Sequence, residues 1–186
     1  MRPTRELAAL LAVVGLSMGA AGEEPAADAG MFGLRADFGG RGPVTITAAS
    51  LDYDYKRNII TYRGKVSATQ DEVRIQSDVL TITLRDDRGT PTASERGAVT
   101  LQEIVASGHV RIEQGERWAT GGKAVFDQPK RILLLTESPV LHDGPNEVAG
   151  ERVVVYLDED RSVVEGGSRR VKAVLYPDRD DEAPAR

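Results

Sequence analysis

The side chains of this chain with the means to do chemistry are two acid pairs, two histidines and one tryptophan. Asp52/Asp54 and Asp158/Asp160 each stand at i, i+2. On an extended strand that spacing turns both carboxylates to one face, as a general acid–base pair or a calcium ligand set requires. All four nevertheless sit at strand ends beside Lys or Arg turns, where solvated charge is the ordinary content. His109 and His142 lie far apart in strand-like settings and read as surface or rim residues. Trp118 follows a charged turn and reads as a packing or rim residue. No G-x-S-x-G elbow and no HExxH occurs. There is no cysteine, which removes disulfides, thiolate ligands, thiol catalysis and a lipoprotein anchor. The reading is a protein that is not an enzyme, with no catalytic residues, no metal site and no cofactor.

The elements that carry these residues are strands. From Ala48 to Leu84 the apolar positions alternate with polar ones: Leu51, Tyr53, Tyr55; Ile60, Tyr62; Val73, Ile75; Leu80, Ile82, Leu84. Alternation of period two gives each strand one apolar and one solvated face. Thr, Val, Ile and Tyr dominate, and Lys56-Arg57-Asn58, Arg63-Gly64 and Gln70-Asp71-Glu72 interrupt as turns. The stretch therefore predicts four short antiparallel strands. Pro43 precedes a further strand, Val44–Thr47, at an edge where a missing ladder donor is tolerated.

The second half repeats the first. Residues 49–66 align with 122–140, and 71–84 with 146–157. A finer unit, a small residue followed by any residue and then Val, begins at Gly64, Gly108, Ser138 and more loosely Gly167. Repeats of this size mean stacked units sharing one continuous apolar interior. The polar stretch from Asp86 to Gly97 reads as a connecting loop, and Val99-Thr100-Leu101 as a short strand.

The length of 186 residues fits one domain with tails. A net charge of −5 argues against a nucleic-acid surface, and aromatics at 5% leave few stacking platforms. Arg2 and Arg5, then an apolar run from Leu7 to about Met18, then Gly19-Ala20-Ala21-Gly22, have the order of a cleaved signal peptide over residues 1–22. The run falls short of the roughly 20 residues needed to span a bilayer. Residues 23–42 read as a flexible N-terminal arm in which Met31, Phe32, Leu34 and Phe38 are the large apolar side chains. Residues 43–176 form the β domain, and 177–186 a charged, disordered tail.

What remains for function is the apolar stripe. Closed on itself, it is a core. Left partly open, it is a groove that takes acyl chains by burial alone, worth roughly 0.8 kcal/mol per methylene. Core and groove share the same alternation, so periodicity does not separate them.

The ordered series PVTITAASLDYDYKRNIITYRGKVSATQDEVRIQSDVLTITL, GHVRIEQG, GKAVFDQPKRILLL and VAGERVVVYLDEDRSVVEGG resembles the LptA family of periplasmic lipopolysaccharide-transport proteins, within the OstA-like superfamily. The resemblance spans residues 43–176. It implies an all-β, twisted, partly open antiparallel β-jellyroll (a β-taco) whose interior shields the acyl chains of lipopolysaccharide and passes it from inner to outer membrane. It implies LptC-like inner-membrane and LptD-like outer-membrane partners and head-to-tail self-association. The lipid-lining positions it implies are Val44, Ile46, Tyr53, Tyr62, Val73, Ile75, Leu80, Ile82, Ile112 and Phe126. Ala124 stands where a larger residue is common. Alternatives are an anchored LptC-type member of the pathway and a structural β-solenoid that binds no lipid.

Overall fold

In the computed structural model, residues 43–86 and 99–177 are described, and they form one antiparallel sheet of twelve strands. In chain order these are β1 (Thr45–Thr47), β2 (Ser50–Asp54), β3 (Ile59–Gln70), β4 (Val73–Asp86), β5 (Val99–Gln114), β6 (Arg117–Asp127), β7 (Ile132–Thr136), β8 (Val140–Asp143), β9 (Asn146–Ala149), β10 (Arg152–Tyr156), β11 (Arg161–Glu165) and β12 (Lys172–Val174). The proposed signal peptide, N-terminal arm and most of the C-terminal tail lie outside the described residues, as does most of the polar loop before β5.

The stretch from Ala48 to Leu84 holds three strands rather than four. Arg63-Gly64 is not a turn: β3 runs straight through it. Gly64 and Lys65 both take positive φ, +84° and +47°, and the pairing of β3 with β4 slips between Arg63 and Val66. That is a bulge, which bends a strand without ending it. The same thing happens at Gly108-His109, where the pairing of β5 with β6 slips between Ser107 and Val110. Val99-Thr100-Leu101 is correspondingly the start of the long β5, not an isolated strand.

These irregularities line up from strand to strand as a crease. Strands β3 to β6 are long and cross it. On one flank β3 pairs with β1 at one end and β2 at the other. On the opposite flank β6 pairs with β8 and with β7. The sheet thus folds into two walls. One wall ends in β1 on one side and β8, β9 and β12 on the other; the second ends in β2 and in β7, β10 and β11.

Small residues make the crease possible. A β-carbon on Gly64 would stand 2.8 Å from that of Ala49, and one on Gly150 would stand 2.6 Å from a methyl of Val164. Backbone bonds stitch the line together: Ala49 N–H donates to the carbonyls of Arg63 (3.0 Å) and Gly64 (3.1 Å), Gly122 N–H to Glu137 (3.0 Å), and Glu151 N–H to Glu165 (2.8 Å). The repeated unit read from the sequence, a small residue two positions before Val, is this crease.

Candidate functional site

The walls face each other across three apolar rows that the strand register fixes. On the β2 wall, Leu51, Tyr62, Leu80, Ala106, Ala124, Leu135, Val153 and Val164 are successive cross-strand partners. A second row on that wall runs Tyr53, Ile60, Ile82, Ile104, Phe126, Leu133, Val155 and Ser162. On the β1 wall the row is Ile46, Ala68, Ile75, Ile112, Ala119, Leu141, Val148 and Ala173. Every position except Ser162 is apolar. The middle of each row is buried in one cluster, with Leu80, Ile112, Leu133 and Leu135 the largest fully enclosed side chains. The ends run out to the sheet edges, where Leu51 is 57% exposed.

The expected lining residues fall unequally on this interior. Val73, Ile75, Leu80, Ile112 and Phe126 are buried in the cluster, and Ile46, Tyr62 and Ile82 pack against it. Tyr53 lies in the inward register opposite Ile60, half-buried, its ring 4.1 Å from that of Tyr55. Val44 precedes β1 and is 54% exposed. Leu133, Leu135, Val153 and Val155 also line the interior but are absent from the sequence-derived set. Their segments, Ile-Leu-Leu-Leu and Val-Val-Val, are continuous apolar runs, and such runs do not say which parity points inward.

Between the walls, a cavity lined by Ile75, Ile104, Ala106, Ile112, Ala124, Phe126 and Leu133 measures about 10 Å³, at the lower limit of what one water occupies. The walls are therefore in contact over this stretch. Ala106 and Ala124 face each other as cross-strand partners in its lining.

Charge is kept to the rims and outer faces. At strand ends Lys130 donates to Asp127 at 2.6 Å, Arg131 to Asp158 at 3.2 Å, and Arg117 to Asp143 at 3.3 Å. The Lys130 ammonium holds the Asp127 carboxyl below the usual carboxylate range. Of the acid pairs, Asp54 accepts the backbone N–H groups of Lys56 and Arg57 (3.0 and 3.1 Å), and Asp158 pairs with Arg131. Asp54 closes β2 and caps the turn after it, and Asp158 lies in the turn after β10. His109, on the crease, shares a 2.7 Å hydrogen bond with Asp78. On the outer face of the β1 wall, Arg111 lies 4.1 Å over the Trp118 ring, and Trp118 stacks on His142 at 3.4 Å. Burial pushes the His142 imidazole below its ordinary pKa. Among the described residues, no group of three or more His, Asp or Glu is placed to hold a metal ion.

The family described as "LptA/(LptD N-terminal domain) LPS transport protein" matches residues 45–161, from the first residue of β1 to the first of β11. The chain belongs to this family. Among its relatives, the lipopolysaccharide export system protein LptH of Pseudomonas aeruginosa is 23% identical over 145 residues, covering 73% of this chain and 74% of that protein. The crystal structure of LptH, described as the LptA homologous periplasmic component of the lipopolysaccharide transport device of that organism, superposes with a TM-score of 0.61 at 16% identity. That match covers 73% of this chain and 96% of the other. The LptA-like fold is thus shared between chains whose side chains have largely diverged.

Proposed function

We propose that this protein is exported to the periplasm, shields the acyl chains of lipopolysaccharide between its two walls, and hands the lipid from the inner toward the outer membrane. The observation that carries this reading is the continuity of the three rows. Here the rows reach Leu51 and Ile46 at one edge and Val164 and Ala173 at the other. Stacking copies edge to edge continues both sheet and interior, because an open edge presents unpaired N–H and C=O groups to another chain. An LptC-like inner-membrane protein and an LptD-like outer-membrane protein are the partners this arrangement implies.

The lipid enters by parting the walls. Wall-to-wall apolar contact is exchanged for wall-to-acyl contact, which is nearly neutral, while each methylene leaving water contributes roughly 0.8 kcal/mol. The driving force lies with the partners.

A photo-crosslinking pair tests the reading. One probe replaces Phe126, which is 2% exposed and faces inward; the other replaces its neighbour Val125 on the opposite face. Lipopolysaccharide adducts at position 126 and not at 125 are expected. Adducts at neither position would leave a closed core and overturn the carrier reading.

A further inference from the structure

The two walls differ on their outer faces. On the β1 wall an outward row runs Arg74, Glu113, Trp118, His142 and Glu147, charged or polar apart from the tryptophan. That is the ordinary content of the solvated face of an antiparallel sheet. On the β2 wall the outward row runs Val105, Val125, Leu134, Val154 and Val163, successive cross-strand partners on β5, β6, β7, β10 and β11. All five are aliphatic. Val154 is 6% exposed beneath its neighbours, and the other four are half-buried. This row is why Ile132–Leu135 and Val153–Val155 are continuous apolar runs, the pattern of strands covered on both faces. The interior covers one face, and no described strand packs on the other. Charged rows flank the stripe. On the crease side stand Lys123 of β6, Arg152 of β10 and Glu165 of β11; on the far side stand Asp127, Tyr156 and Arg161 of the same three strands.

We infer that a second copy of this chain packs on the stripe, back to back, about a twofold axis that runs along it. Such an axis lays each stripe residue against its own counterpart and reverses the strands. The crease-side row of one copy then faces the far-side row of the other, strand by strand. Lys123 meets Asp127 of the second copy, Glu165 meets Arg161, and Arg152 meets the Tyr156 ring. All five charges find an opposite charge or a ring face, which is the complementarity that selects a partner. Lys123 is exposed and makes no ion pair among the described residues, so it is available for this contact. A twofold axis parallel to the strands would instead set Lys123 against Arg152, a like pair, and is disfavoured. Five strands about 4.8 Å apart and three rows about 7 Å apart give on the order of 500 Å² per copy, against about 800 Å² in a standard interface. The dimer is therefore weak and concentration-dependent. The inference is independent of lipid binding, because the lining rows point to the opposite face. It is also independent of strand addition, because the ladder edges stay free.

The chain has no cysteine, so a single Val125→Cys substitution reports on the stripe alone. Packed sheets lie about 10 Å apart, beyond the reach of a disulfide but within that of a short bismaleimide. A covalent dimer is expected from Val125→Cys and not from Thr120→Cys, which lies on the outer face of the β1 wall. The concentration at which the Val125→Cys dimer reaches half its maximal yield then measures the charge pairs. Lys123→Asp and Asp127→Lys are each expected to raise it about fivefold or more, since each change acts twice in a twofold dimer. The two together are expected to restore it. These residues stand four apart on β6, about 13 Å, so they do not meet within one chain and restoration reports a contact between copies. Circular dichroism confirms that each variant is folded. A Val125→Cys protein that stays monomeric overturns the inference: a freely reactive thiol would show a bare stripe, and a protected one a stripe covered by another segment of the same chain. Equal crosslinking at Thr120→Cys, or a double variant weaker than either single one, overturns it as well. Failure here would leave the crosslinking at Phe126 untouched.

Discussion

Gly64 and Ala49 meet across the crease: the Ala49 N–H donates to the Gly64 carbonyl at 3.1 Å, and a β-carbon on Gly64 would sit 2.8 Å from that of Ala49. Two separate penalties attach to any side chain there. One is the left-handed backbone at φ +84°, which costs an L-residue about 1–2 kcal/mol. The other is the contact itself, which forces the strands apart at the fold. Gly115, in the turn between β5 and β6, is also left-handed (φ +58°), but a β-carbon there meets nothing within 4 Å. Gly64→Ala is therefore expected to lower unfolding stability by more than Gly115→Ala, the second costing about 1 kcal/mol and the first about 2–4 kcal/mol. Urea titration of the two variants reads the difference. Equal losses would mean that the crease does not require close approach.

Adjacent leucines of β7 give a test of wall and face. Leu133 is buried in the interior opposite Phe126 and Val155, while Leu134 lies on the outer face opposite Val125 and Val154. Leu133→Ala is expected to cost about 2–5 kcal/mol through lost burial and an unfilled cavity. Leu134→Ala, half-buried, is expected to cost less than half as much. Denaturant midpoints at unchanged slope check this, and a reversed order would put the interior on the other face.

This pair also marks the boundary of what the residues disclose before a structure is known. Strict alternation, as at Val73, Ile75, Ile82 and Ile112, names the inward face because only one parity is apolar, and all four lie in or against the interior cluster. In Ile132–Leu135 both parities are apolar, so the face is decided by which neighbour pairs with which. Several of those pairings are non-local: β7 takes β10 on its far side, β6 takes β8 beyond β7, and β9 pairs with β12 across two intervening strands. The crease was hidden differently. A glycine beside a charged residue normally signals a turn, and at Gly64-Lys65 and Gly108-His109 the same backbone preference is used to bend a strand that continues. Val44 keeps the alternation but precedes β1, and among the described residues no wall covers it: it is 54% exposed.

His142 should make stability depend on pH. Its imidazole is stacked on Trp118 with Arg111 over that ring; desolvation lowers its pKa from 6.5, aided by Arg111 and opposed by Glu147. With the folded pKa depressed, the unfolded state binds the proton more readily. The stabilising contribution is complete above 6.5 and is lost as pH falls through the folded pKa. Stability is expected to decline across the window just below 6.5 and to decline less in His142→Phe, which keeps the stack without the titrating group. Urea midpoints of both proteins over that window decide it, and parallel profiles would show that His142 is not the group responsible.

Glu151 anchors the turn that leads to the last strand. Ser168 donates to it from both its backbone N–H (3.0 Å) and its hydroxyl (3.2 Å), and these bonds hold the Glu151 carboxyl below its ordinary value of 4.5. Because the folded pKa is depressed, the anchor is present above 4.5 and loosens as pH falls through the folded value. The protection of the Lys172–Val174 amides, relative to intrinsic exchange at each pH, is expected to fall on acidification in the native chain. In Glu151→Gln that protection is expected to be lower at neutral pH and nearly constant toward acid. An acid response unchanged by the substitution would place the sensitivity elsewhere.

The edge opposite β1 is β12, which among the described residues pairs only with β9. If copies join by strand addition, the ladder groups of Lys172–Val174 carry the contact, and a residue without an N–H in that row weakens it. Val174→Pro is expected to shift the protein toward monomer. The fold is expected to survive, since β12 contributes none of the fully buried side chains of the interior. Light scattering across a dilution series measures the oligomer, and circular dichroism with thermal unfolding confirms the fold. An oligomer of unchanged size would show that association uses another surface. A variant that unfolds would show that β12 supports the walls rather than the contact.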